Sequence, residues 1–163
     1  MKTSKTKILK PISLARKLVS RSFKKKYKRL VFTNGCFDLL HEGHVSYLEA
    51  ARAKGDCLIV AIDDDASVSA LKGPQRPINT LGARMRVIAG LGCVDFVTHF
   101  GGGDPVPLIK RLKPHVLVKG GDWVVSQIKG YKEVKEWGGH VFSIRFVPGR
   151  STTNIVQKIR TGV

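Results

Sequence analysis

Thr33-Asn34-Gly35-Cys36-Phe37-Asp38-Leu39-Leu40-His41-Glu42-Gly43-His44 follows an apolar run that begins at Leu30 and leads into a helical pattern that begins at Gly43. An apolar run, a turn and an amphipathic helix in that order predict a buried strand whose carboxyl end feeds a helix N-terminus. Free backbone N–H groups and the positive end of the helix dipole make such a junction a natural phosphate cradle. Gly43 permits close backbone approach, and it lies between His41 and His44, three positions apart on one face of the first helical turn. Two ring N–H donors there suit charge that grows on a phosphate as a diphosphate leaves. Zinc ligation and plain surface histidines are the alternatives. Against zinc, the spacing is not the i, i+4 of a zinc-protease helix, and no thiolate pair is near in sequence.

Outward from this junction, apolar runs alternate with longer helical patterns, the signature of a parallel sheet with crossover helices. Strands are expected at 30–34, 57–62, 94–98, 115–119 and 140–146. Helices are expected at Gly43 to Lys54, Asp65 to Leu71, Thr80 to Leu91, Pro105 to Leu112, Tyr131 to Trp137 and Thr152 to Arg160. The fold class is α/β: a Rossmann-like doubly wound parallel sheet of about five strands with helices on both faces, preceded by a basic N-terminal helix. Ligands of such sheets sit beyond the carboxyl ends of the strands. Two later loops therefore join the first as candidates. Lys119-Gly120-Gly121-Asp122 follows the fourth strand, where glycines allow close contact with a base or ribose, and a tight turn with a solvated Lys/Asp pair is the alternative. Gly149-Arg150-Ser151-Thr152-Thr153 opens the last helix with hydroxyls and N–H groups, a second phosphate site by the same physics. Trp123 and Trp137 read as core or lid residues.

The length of 163 residues favours one domain with a sizeable core, and 42% apolar with 25% charged residues is ordinary for a globular chain. No apolar run approaches the ~20 residues of a membrane-spanning helix, and no signal-peptide pattern is present, so a cytoplasmic protein is expected. Cys36, Cys57 and Cys93 form no C-x-x-C pair and read as reduced thiols. The net charge of +17 is concentrated: residues 1–29 hold twelve Lys/Arg and no acid, while the remainder has a surplus of only five. Boundaries are accordingly expected at 1–28, a basic extension, and 29–163, the catalytic domain. Ile12, Leu14, Leu18 and Val19 recur at helical spacing, predicting a short amphipathic helix that starts near Ser13 and ends before the basic run Lys24–Arg29. A transit peptide is the alternative, disfavoured by lysine outnumbering arginine. No aromatic–basic interleaving or RNA-binding signature accompanies the charge, so neither nucleic acid nor a membrane is expected as a partner.

Taken together, these blocks resemble the nucleotidyltransferases of the cytidylyltransferase-like fold, with their His-x-Gly-His signature. The nearest likeness is to the bacterial D-glycero-β-D-manno-heptose 1-phosphate adenylyltransferases. It runs through Phe32 to Asp38, His41 to Leu48, Lys72-Gly73, Arg76-Pro77, Arg84-Met85, Val94-Asp95, Leu117 to Asp122 and Ser151-Thr152-Thr153. The resemblance implies that ATP and a heptose 1-phosphate give ADP-heptose and pyrophosphate for lipopolysaccharide inner-core synthesis, with Mg2+ as cofactor and no covalent enzyme intermediate. A sugar phosphate is already an anionic nucleophile, so alignment and charge neutralisation matter more than a general base. By the resemblance, His41, His44 and Lys72 are catalytic. Thr33, Asn34, Gly35, Cys36, Phe37, Gly43, Lys119, Gly120, Gly121, Asp122, Gly149, Ser151, Thr152 and Thr153 bind nucleotide or phosphate, and Asp38, Asp63, Arg76 and Arg84 bind the sugar phosphate; no side chain is assigned to a metal. Ordinary solvation is the alternative for Lys72, Arg76 and Arg84. The chain departs from the family pattern at Asp63-Asp64-Asp65, where capping by Asp64 or Asp65 is the favoured role, and at Gly101 to Pro105. A separate sugar kinase is expected to supply the 1-phosphate, and a homodimer is typical of the wider family. The competing readings are cytidylyl or adenylyl transfer to another small phosphate, such as glycerol 3-phosphate, and a non-catalytic anion- or nucleic-acid-binding module.

Overall fold

Leu30 to Phe32 and Cys57 to Ile62 are unbroken apolar runs because the strands they form are covered on both faces and paired on both edges. A computed structural model describes residues 3–145 and 151–162. Its five strands, β1 (Leu30–Gly35), β2 (Cys57–Asp63), β3 (Phe96–Phe100), β4 (Val116–Gly120) and β5 (His140–Ile144), are all parallel in the order β3-β2-β1-β4-β5. The sheet grows from β1 first in one direction and then in the other. The carboxyl ends of β1 and β4 therefore flank the switch point, the expected crevice.

The helices are α1 (Ser4–Lys7), α2 (Pro11–Val19), α3 (Arg21–Lys26), α4 (Glu42–Arg52), α5 (Asp65–Lys72), α6 (Leu81–Gly90), α7 (Val106–Leu112), α8 (Tyr131–Glu136) and α9 (Thr152–Thr161), with a 3-10 turn at Val125–Gln127. None of the described helices is long and apolar enough to cross a membrane. The expected doubly wound sheet with helices on both faces is found. One apolar cluster joins α2, α3, α7 and α8 to Phe32, Ile59, Phe96 and Leu117; the other joins α4 and α6 to Val31, Val60, Val97 and Val118. Alternate residues of each strand serve opposite faces, as the pleat requires.

Most boundaries shift by one or two residues from expectation, and three of the differences have an identifiable physical cause. The amphipathic helix starts at Pro11, not near Ser13, because proline's fixed φ and missing N–H suit the first helical position. The basic run is partly helical: Ser20 caps α3 by accepting the Phe23 N–H, and buried Phe23 packs at 4.7 Å from Tyr27 and 5.8 Å from Phe96, drawing Lys24–Lys26 into the turn. Strand β3 runs over 96–100 instead of 94–98 because a turn occupies 91–94 and the Asp95 carboxylate accepts the Leu58 N–H at 2.9 Å. In β5, Phe146 lies outside the described residues and the strand ends at Ile144. Ahead of α2, Ile8 bridges to Val97 and the Leu9 N–H donates to the Val97 carbonyl at 2.9 Å, which covers the open edge of β3.

Candidate active site

Helix α4 is bolted to the switch point from below. Tyr47 donates its hydroxyl to the Val118 carbonyl of β4 at 3.2 Å and accepts from the Thr33 hydroxyl of β1 at 2.5 Å, so one buried side chain ties α4 to both strands. One helical turn above, His41 occupies the N-cap in extended backbone and His44 lies in the first turn. Their rings stack with centroids 3.9 Å apart, and the Phe37 ring covers His44 at 5.3 Å. Burial, then the neighbouring His41 and Lys72, push the His44 imidazole down to about 4, so it is neutral at pH 7. Its Nδ1 is buried without a hydrogen-bond partner among the described residues. Phe37 takes a left-handed φ of 45°, turning the chain sharply between strand and helix.

Beyond the ends of β1, β2 and β4 lies a cavity of about 290 Å³. Asn34, Gly35, Cys36 and Phe37 form one wall, with His44 among them; Lys72, Lys119, Gly120 and Thr152 close it from the other elements. Gly43 is buried in the first turn of α4. At the floor, the Cys36 thiol points at Asp63 (3.8 Å) and Lys119 donates to the Asn34 carbonyl (3.3 Å). Burial lowers the Lys119 ammonium, opposed by Asp63, and burial raises the Asp63 carboxyl, opposed by Lys119. A second cavity of about 330 Å³ shares Asn34, Asp63 and Lys119 with the first and extends to Gly103, Gln127 and Lys129. Together they offer a long anionic ligand a path over the tips of β2, β1 and β4.

Several expected ligand contacts are instead internal. Thr33 is fully buried, its hydroxyl taken by Tyr47, and does not line the cavity. Asp38 borders the cavity, but its carboxylate accepts Arg76 Nε at 2.6 Å and the backbone N–H groups of Ile78 (2.9 Å) and Asn79 (3.0 Å). Arg76 gives its Nε to Asp38, while its buried Nη2 has no hydrogen-bond partner among the described residues and the side chain borders the groove between α5 and α9. Arg84 is 1% exposed, donating to the carbonyls of Cys36 (2.5 Å), Asp63 (2.7 Å) and Asn79 (3.0 Å) and pairing with Asp65. In this structure Asp38 and Arg84 tie loops together through their side chains, Arg76 joins Asp38 through one nitrogen, and of the expected four Asp63 borders both cavities and Asp38 the first.

In the Lys119 loop, Gly121 donates its N–H to the Ile144 carbonyl and Asp122 pairs with Arg145 at 3.5 Å on the surface, so neither borders either cavity. Ser151 caps α9 by accepting the Asn154 N–H, and Thr153 borders a groove between α5 and α9. Gly149 lies outside the described residues. Asp64 caps α5, as favoured from the sequence, by accepting the Ser67 N–H at 2.8 Å. The cavity residues that motif reading passed over include Leu71, Gln127, Ile128 and Lys129, and Trp123, read only as core or lid, stands 51% exposed at the shared mouth. Local sequence pattern carries no signal for Leu71, because its exposure at the cavity appears only in the folded chain.

Among the described residues no cluster of three or more His, Cys, Asp or Glu side chains could enclose a metal ion. A divalent cation carried by phosphates and water, with Asp63 as a single carboxylate partner, fits this donor set.

The cytidylyltransferase-like family model matches residues 32–158. The "Bifunctional protein HldE" of Pseudomonas fluorescens (strain Pf0-1) and that of Pseudomonas putida (strain GB-1) are each 59% identical over 133 residues, 82% of this chain and 28% of theirs. The chain thus matches little more than a quarter of these relatives' length. Among solved structures, the lipopolysaccharide core biosynthesis protein from Thermoplasma volcanium GSS1 superposes with a TM-score of 0.59 at 27% identity, over 73% of this chain and 96% of that one. A pantoate-beta-alanine ligase from Francisella tularensis shares the fold, with a TM-score of 0.60 at 16% identity over 90% of this chain and 68% of that one.

Proposed function

Because the chain belongs to the cytidylyltransferase-like family, we propose that it is an adenylyltransferase that joins AMP from ATP to D-glycero-β-D-manno-heptose 1-phosphate, releasing pyrophosphate. The observation that carries this reading is His44, stacked on His41 at the N-terminus of α4 and lining the cavity together with Lys72 and Lys119, while His41 stands behind it outside the lining. The relatives and the name of the Thermoplasma protein support the sugar-nucleotide and lipopolysaccharide assignment.

In this reaction an oxygen of the sugar phosphate attacks the α-phosphorus of ATP, and the bond from that phosphorus to the β-phosphate oxygen breaks. The electron pair leaves with pyrophosphate. Lys72 and the α4 N-terminus neutralise the triphosphate, and the two imidazoles donate N–H groups to charge gathering on the leaving group. Lys119 and Gly120 hold the nucleotide on the β4 side, while the cavity bounded by Asp63, Gly103 and Lys129 receives the acceptor. Orientation supplies much of the rate, since the nucleophile arrives already ionised. Asp63 would help to hold Mg2+ beside the phosphates, where the cation would supply further charge neutralisation. The reaction belongs in the cytoplasm, downstream of a sugar kinase that makes the 1-phosphate.

Pyrophosphate release tests the proposal. ATP or CTP with Mg2+ is offered the heptose 1-phosphate, glycerol 3-phosphate or no acceptor. Release with ATP and the heptose phosphate alone, abolished in a His41→Ala/His44→Ala variant, is the expected result. Release with CTP and glycerol 3-phosphate would keep the chemistry and replace the substrate, and no release from any pair would refute an enzymatic role.

A further inference from the structure

The N-terminal segment has a buried apolar side and an uncompensated cationic side. Leu14, Leu18 and Phe23 enter the core, whereas ten basic residues between Lys5 and Arg29 are exposed, including Arg16 and Lys17 on α2 and Lys24–Lys26 on α3. No ion pair among the described residues neutralises any of them. Among the described residues the carboxylate seen in contact is Asp56, which accepts the backbone N–H groups of Lys28 (2.7 Å) and Arg29 (3.0 Å). Helix α7, packed against α2, extends the surface with exposed Arg111 and Lys113, while its Lys110 pairs with Glu133 at 3.4 Å.

We propose that this face docks the protein onto an anionic lipid bilayer. Three observations favour lipid over nucleic acid. Ile12 and Val19 stand 58% and 69% exposed on the cationic side of α2, an arrangement suited to shallow insertion between headgroups. Phe23 is buried against Phe96 and Tyr27 packs on both rings, so the segment's aromatic residues form no exposed platform on which bases can stack. The cations of residues 1–29 are nine lysines and three arginines, compact point charges more than bidentate forks, which match a diffuse layer of lipid phosphate. Location agrees with use. Lys28 and Arg29 lead into the amino end of β1, whereas the catalytic cavity opens beyond Gly35, a strand length of about 20 Å away. A docked molecule keeps its cavity open to substrate.

Vesicle flotation tests this with the full chain. Vesicles of phosphatidylcholine mixed with phosphatidylglycerol are expected to carry the protein, pure phosphatidylcholine vesicles are not, and added salt weakens the association. A Lys24→Gln/Lys25→Gln/Lys26→Gln variant is expected to bind more than about ten-fold more weakly. An Arg86→Gln/Lys132→Gln/Lys158→Gln variant, with equal charge removed from exposed positions on α6, α8 and α9, is expected to stay within about two-fold of the parent, because headgroup attraction decays within a Debye length. Ile12→Ser/Val19→Ser is expected to weaken vesicle binding that survives moderate salt. Thermal melts and nucleotide turnover equal to the parent's certify that each variant is folded. Equal losses in the two triple variants would reduce the effect to net charge and overturn the proposal. Absence of binding to the mixed vesicles would overturn it as well. So would duplex RNA that binds through Lys24–Lys26 and displaces the protein from vesicles.

Discussion

His44 shows how far a residue's chemistry depends on its surroundings. Its imidazole is held near a pKa of about 4 by burial and by His41 and Lys72, against 6.5 when free. Between these values the unfolded chain binds a proton that the folded chain refuses, so stability falls as pH drops from 6.5 toward 4. A His44→Ala variant is expected to lose that part of the pH dependence, read as the midpoint of urea unfolding across this window. A polyanion in the cavity reverses the bias, because negative charge favours the imidazolium. Nucleotide binding is therefore expected to take up a proton near pH 6, visible as a buffer-dependent enthalpy in calorimetry. Arg84 presents the opposite case: a charged residue that motif reading assigns to a ligand is fully enclosed, with its donors on the Cys36, Asp63 and Asn79 carbonyls. Arg84→Met is expected to leave those carbonyls and Asp65 unpaired and to cost about 3–5 kcal/mol in denaturant unfolding. If the residue bound substrate instead, KM would rise with stability unchanged.

At the scale of elements, the site depends on how α4 meets the sheet. The Tyr47 hydroxyl is the joint: it bridges Thr33 of β1 and Val118 of β4 beneath the two histidines. Tyr47→Phe keeps the packing but leaves a buried Thr33 hydroxyl and the Val118 carbonyl each short of a partner. A loss of about 1–3 kcal/mol is expected. Because α4 carries both imidazoles, kcat is expected to fall while KM for ATP changes little, a split that steady-state kinetics resolves. Element boundaries shifted where a tertiary contact outweighed local pattern. Phe23 found Phe96 and extended helical structure into the lysine run, and Asp95 found Leu58 and Arg52 and so stayed outside β3. Local periodicity holds no information about either partner, which lies 37 or more residues away in sequence.

Across the whole molecule, the N-terminal segment is part of the packing that supports the sheet. Removing residues 1–28 would strip Leu14, Leu18 and Phe23 from the cluster that contains Phe32 and Leu117 and would uncover the β3 edge at Val97. Each such side chain contributes about 1.5–3 kcal/mol by burial, so a loss of about 6 kcal/mol is expected, enough to unfold a marginal domain. A melt of the truncated chain followed by circular dichroism checks this: an unchanged midpoint would mean that the segment merely decorates the surface. The fold and the centre of the site were legible in the sequence because both are written in short-range patterns. Alternating buried strands and amphipathic helices specify a parallel sheet, and a strand–turn–helix junction with two histidines one turn apart marks the helix N-terminus where the candidate site lies. Which charges face the cavity was decided only by the tertiary structure. Asp38 meets Arg76 across 38 residues and Arg84 meets Cys36 across 48. A charged side chain reads alike in sequence whether it meets a ligand or a buried carbonyl, and only the folded path of the chain sets that distance.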